Sequence, residues 1–200
     1  MTQTIEELIA RWNSGDGKPY KGLLFDRSAY DANPDSPACM CAQGQVLHYV
    51  AGWDVERLAL IKQSEADKAV AEQLGISLGH AILLRQVNDK VDGAPAIVLT
   101  HPEKVLGEHA QLLLAFFRYL DSMDGVAWQK YFAARAAAWD AAGAAAGAAA
   151  GDAAWDAAGD AARAANEIQG HKILADKGKP LFFLGLFGFK TIEALLAVAA

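Results

Sequence analysis

The sequence predicts a mainly α protein: a multi-helix domain with a long Ala/Gly-rich helix or αα-hairpin, and at most a short β element near 96–99. Three observations predict it. Helix-start residues recur along the chain, namely Thr4 with Glu7, Asp54, Ser64, Ser77, and Thr100 with Pro102 and Glu103. Apolar residues follow them at helical spacing, most clearly Val105, Leu106, Leu113, Phe116, Phe117 and Leu120. Residues 133–165 are then written on a four-residue grid of alanine, the best helix former.

Taken in order, Thr4 and Glu7 suit a capping box for a helix that Gly15 stops. Residues 15–37 read as loop with a short helical turn at Arg27–Tyr30. Ser36 and Pro37 suit the N-cap and first position of a helix through Val50. Asp54 caps a short helix to Ile61, Ser64 one ending at Gly75, and Ser77 one through Val87. The loop Asn88–Pro95 follows, and Ala96–Leu99 is a short apolar run with strand character. From Thr100 a helix is expected to Ser122, and from Asp124 another that flows into the grid. Pro180 precedes an apolar section, and a last helix begins near Thr191. The whole reads as one domain over 1–200: a helical body (1–130), the Ala-rich segment (131–166) and an apolar C-terminal segment packing back (167–200).

The grid reads AARAAAWDAAGAAAGAAAGDAAWDAAGDAARAA. One column holds Arg135, Trp139, Gly143, Gly147, Gly151, Trp155, Gly159 and Arg163; the next holds Asp140, Asp152, Asp156 and Asp160. Each tetrad drifts about 40° around a helix, so Trp139 and Trp155 would fall on nearly opposite faces of one straight helix. A single flat interface therefore cannot explain the period. The segment is either a continuous helix with partners on several sides or a hairpin broken near Gly147. Packed on neighbouring helices, the tryptophans would fill grooves over small residues while the aspartates keep the rod soluble. As a binding surface, Trp139 and Trp155 would anchor beside the carboxylates of Asp152, Asp156 and Asp160, facing a basic partner or a cation.

Composition narrows the function classes. A formal charge of −6 argues against general affinity for nucleic acid or anionic lipid. Cys39 and Cys41 are too close in sequence to staple a fold, which favours a reducing compartment. The start MTQTIEELIARWN lacks a signal-peptide pattern, and the most apolar window, Pro180–Ala200, carries Lys190 and Glu193. A cytoplasmic protein with no membrane association is expected.

Lys68–Val87 resembles a helix-turn-helix, with Ala71, Gly75, Ile76, Ala81 and Leu84 in its inward positions. Its outward positions, Ser77, Leu78, Gly79, Ile82, Leu83 and Gln86, lack the polar side chains of a groove reader. A DNA-binding regulator is the first alternative function. Cys39 falls in a predicted first turn, where the helix dipole lowers a thiol pKa. Cys41, Gln45 and His48 share a helical face, and a small-ligand pocket or active site near Cys41 and His48 is the second alternative. His80, His101, His109 and His171 show no metal-like spacing. Asn88–Gly93 has Lys90 where a calcium ligand belongs and reads as a turn. No phosphate loop, nucleophile elbow or zinc-protease motif occurs, so no residue is assigned to catalysis, a cofactor or a metal.

The Ala-Ala-Trp/Gly/Arg-Asp grid resembles tetrad repeats in bacterial and phage proteins, some of them labelled immunity proteins. The pieces CMCAQG (Cys39–Gly44), VNDKVDGAP (Val87–Pro95) and NEIQG (Asn166–Gly170) look like pieces of phage-encoded proteins. The resemblance implies no activity. The expected function is that of a non-enzymatic helical interaction protein, binding a protein partner or itself through its Ala/Gly faces.

Overall fold

The computed structural model describes residues 2–34, 39–90, 95–150, 187, 189 and 191–199. Of the described residues 75% are helical, with no strand or sheet among them, so the fold is multi-helix and all α. Contacts group the chain into two compact units, Met1–Asp121 with Ala199, and Ser122–Val198 with Ala200.

In the first unit, local chemistry starts and stops helices where the sequence predicts. Helix α1 (Ile5–Ser14) opens on a complete capping box: Thr4 Oγ1 accepts from Glu7 N at 3.2 Å, and Glu7 Oε2 accepts from Thr4 N at 2.8 Å. Gly15 ends it at φ 85°. Helix α2 (Arg27–Ala32) is capped by Asp26 and buries none of its residues. Helix α4 (Val55–Leu60) is capped by Asp54 at 2.7 Å from Arg57 N. Helix α5 (Gln63–Leu74) begins one residue before Ser64, with Lys62 at its N-cap, and ends at left-handed Gly75. Helix α6 (Leu78–Lys90) receives its cap from Ser77, whose Oγ accepts from His80 N, and runs past Val87 through Asn88 and Asp89.

The segment around the cysteines departs from expectation. Ser36 and Pro37 lie outside the described residues, and the helix α3 (Ala42–Gln45) starts only at Ala42. Cys39–Cys41 are instead paired as backbone with the preceding loop. Asp26 N donates to Cys39 O at 2.7 Å, Tyr20 N to Met40 O at 2.8 Å, and Cys41 N to Leu23 O at 3.3 Å. Phe25 and Met40 form an isolated antiparallel bridge. Gly44 permits this approach, because a Cβ there would collide with Leu24 O. The helix then widens into a π turn, Val46–Val50, in which Ala51 N reaches Val46 O at 3.0 Å. Every residue from Cys39 to Leu47 is buried.

The short β element that the sequence allowed near 96–99 does not form. Pro95–Thr100 is helix α7, with His101 N donating to Ile97 O at 2.8 Å and Thr100 Oγ1 to Ala96 O at 2.9 Å. Pro95 presets φ for a first helical turn, and a four-residue apolar run carries no period that separates strand from buried helix. The long helix expected from Thr100 to Ser122 is also interrupted. Helix α8 (Glu103–Leu106) stops at Gly107 (φ 75°, ψ −162°), and after a 3₁₀ turn α9 runs Ala110–Ser122. The break resets the helical face: Leu112, Leu114, Ala115 and Phe116 are buried, while Leu113, Phe117 and Leu120 are half-buried. A core cluster among the described residues combines Leu8, Trp12, Met40, Leu47, Val70 and Leu84 from successive elements.

In the second unit, Asp124 caps α10 (Gly125–Ala150), accepting from Ala127 N at 2.8 Å. The helix passes through Gly143 and Gly147 without a break, so the hairpin alternative does not apply across them. The remainder of the grid lies outside the described residues. Trp128 packs edge-on against Tyr131 (5.7 Å), and Tyr131 stacks on Phe187 at 4.3 Å. Thr191 accepts from Ala194 N to start α11 (Ile192–Ala199).

Candidate functional site

Of the residues read as a binding surface, Trp139 lies on α10 next to Asp140, which is exposed. Trp155, Asp152, Asp156 and Asp160 lie outside the described residues. What α10 offers is surface rather than reactive groups. Its apolar residues have almost no sidedness around the helix. Such a helix is ordinarily buried, yet Ala133, Arg135, Ala136 and Ala137 are exposed and Phe132 is 56% exposed. Val126, at its start, is 58% exposed. No helix among the described residues is long and apolar enough to cross a membrane.

The Cys41–His48 region has the opposite character. Cys41 sits at the N-cap of α3, and burial pushes its thiol up to about 11, outweighing the backbone N–H groups of Gly44 and Gln43 that favour the thiolate. The dipole-activated Cys39 expected from sequence does not form, because Cys39 precedes the helix. Burial raises its pKa as well, helped by Asp26. His48 lies in the π turn with Nδ1 2.6 Å from Trp53 O, so Nδ1–H is the donor. His80 is buried, with Nε2 2.8 Å from Val98 O. Both rings are used in holding backbone. Among the described residues no three His, Cys, Asp or Glu side chains are grouped to hold a metal.

Helices α5 and α6 are consecutive, joined through left-handed Gly75, but α9 covers the start of the second. Leu78 N donates to Asp121 at 2.8 Å, and Gly79 lies so close to Phe117 that a Cβ there would come within 2.7 Å of its ring. Ser77 is buried, and of the outward positions only Gln86 is exposed. A recognition helix needs that first turn bare.

Sequence reasoning missed a buried polar cluster linking α3, α5 and α6. The Asp67 carboxylate accepts from Gln43 Nε2 at 2.8 Å and from Arg85 at 3.0 and 3.2 Å, with Gln63 Nε2 at 3.3 Å. Gln43 Nε2 also donates to Ala81 O at 3.0 Å, and its Oε1 accepts from Gln63 at 2.8 Å. Nearby in the core, Trp12 Nε1 donates to Gln45 Oε1 at 2.8 Å. The Asp67 hydrogen bond holds the Arg85 guanidinium above its ordinary pKa. Among the described residues no buried side-chain nitrogen or oxygen lacks a partner. The buried polar atoms of the cluster are thus satisfied within the protein. No signal in the sequence pointed to it, since its members lie on three elements.

Fold and site define a class: among the described residues, a multi-helix protein whose buried side-chain polar atoms all have partners, with exposed apolar side chains on α10 (Val126, Phe132) as well as at Leu23, Leu60 and Val198. No family model, curated protein or solved structure matches this chain.

Proposed function

We propose that this is a non-enzymatic interaction protein that acts by pairing α10 with a helix of a second copy. The observation that carries this reading is the exposure of an apolar helix around most of its circumference at residues 132–137. Water is a poor environment for such a surface. Alanine side chains let two helix axes approach to about 8 Å, where dispersion contacts between backbones are dense. Lys130, Arg135 and Asp140 are exposed beside the alanines, so the surface carries charges of both signs for orienting a partner. The likeness of the grid to bacterial and phage tetrad repeats supports a bacterial or phage setting, and the two cysteines without a disulfide suit the cytoplasm.

Light scattering behind size exclusion, over a wide concentration range, tests the reading. The expected mass lies above 21.2 kDa at high concentration and falls toward it on dilution. A strict monomer throughout would overturn self-association.

A further inference from the structure

Residues Tyr20–Pro34 lie over the most deeply buried stretch of the first unit, yet not one of them is itself buried. Leu24, Phe25, Ala29 and Tyr30 pack partly against the core, while Tyr20–Leu23 are exposed. The segment is held mainly by polar contacts. Three are the backbone bonds to Cys39, Met40 and Cys41 described above. Two more come from consecutive residues of α6: Asn88 Nδ2 donates to Tyr20 O at 2.9 Å, and Asp89 Oδ1 accepts from Gly22 N at 2.9 Å. An exposed ion pair, Arg27 to Glu56 at 3.8 Å, adds little. Beneath it, Cys39–Leu47 are all buried.

We propose that Tyr20–Pro34 is a strap that opens as a unit, with Asn88 and Asp89 as its latch, and that its opening uncovers the Cys41 thiol. Segments with few buried apolar contacts open at a lower free energy than the fold as a whole. Gly17 precedes the strap, and Gly22 at φ 88° supplies the bend that presents its N–H to Asp89. The strap touches Cys41 directly, Leu23 O accepting from Cys41 N at 3.3 Å, and with the strap closed Cys41 is 2% exposed. Opening restores water to the thiol, so thiolate chemistry at Cys41 is confined to the open state.

Alkylation by iodoacetamide of the full-length Cys39→Ala protein, followed at rising sub-denaturing urea, tests this. The expected rate is slow and nearly flat at low urea, because opening a strap of this size exposes much less surface than global unfolding does. Asp89→Ala raises that flat rate about fivefold, the effect of one lost hydrogen bond. Gly22→Ala, whose Cβ meets open space and is strained only in φ, raises it too and carries the test if Asp89→Ala does not fold. Leu112→Ala, in the core of α9, lowers the urea midpoint but leaves the flat rate unchanged. Three results would each overturn the strap: a rate climbing steeply from zero urea, a rate that rises with Leu112→Ala, or latch variants that alkylate like the parent.

Discussion

Asp67 is the one charged side chain in the buried set among the described residues. Its carboxylate is nearly inaccessible (7% exposed), and Arg85, at 26%, is its cationic partner. Arg85→Ala removes the partner and leaves a buried carboxylate held only by glutamine amides. A loss of about 3 kcal/mol is expected in urea unfolding, partly recovered when Asp67→Asn is added, because the charge is then gone. Cys41 makes a second residue-scale prediction. Its thiol, ordinarily near 9, is raised to about 11 in the fold by burial. The folded state therefore holds this proton more tightly than the unfolded one. The stabilisation is complete below pH 9 and disappears as pH rises through about 11. It amounts to roughly 2–3 kcal/mol across two pKa units. Stability measured against pH in the parent and in Cys41→Ala isolates it: the parent should lose more between these limits. The sequence made capping residues legible because Thr4–Glu7, Asp54–Arg57 and Gly75 act within one turn of themselves. Asp67 was not legible: Gln43 and Arg85 lie 24 and 18 residues away on other helices. A charged residue in a polar helix shows nothing of its burial.

At the scale of elements, the helix count was underestimated wherever glycine or packing cut a periodic pattern. The apolar spacing from Val105 to Leu120 is continuous in sequence, yet Gly107 ends one helix and restarts another. Its φ and ψ lie where only glycine is at ease. Gly107→Ala is expected to lower stability by about 1–3 kcal/mol in thermal or urea unfolding, although space for its Cβ is open. If the variant is as stable as the parent, α8 and α9 can join as one helix, and the break is incidental. The late start of α3 has a different cause. Cys39 ends a 3₁₀ turn, and Met40 and Cys41 could have continued it into a helix, but backbone bonds to Tyr20 and Leu23 pair them with the loop instead. Such long-range pairing leaves no local signature. The π turn at Val46–Val50 is equally silent in sequence, since valine, leucine and tyrosine fit either winding.

At the scale of the whole molecule, the all-α class followed from composition and caps, while the saturation of its polar interior did not. The proposed interface on α10 carries its own test at this scale. Ala136→Lys places a charge on it and should shift the association seen by light scattering to higher concentration, leaving the unfolding of the first unit unchanged. An unaltered association would move the interface off this face of α10. The division of the chain near Asp121 also has a temporal side. Apart from Ala199, the first unit is built entirely from residues up to Asp121. During synthesis those residues leave the ribosome first, and a domain closes as soon as its contacts are available. The core around Leu8, Leu47 and Leu84 can thus close seconds before the alanine-rich segment emerges. A sticky helix that appears only after the preceding residues have folded has fewer wrong surfaces to meet.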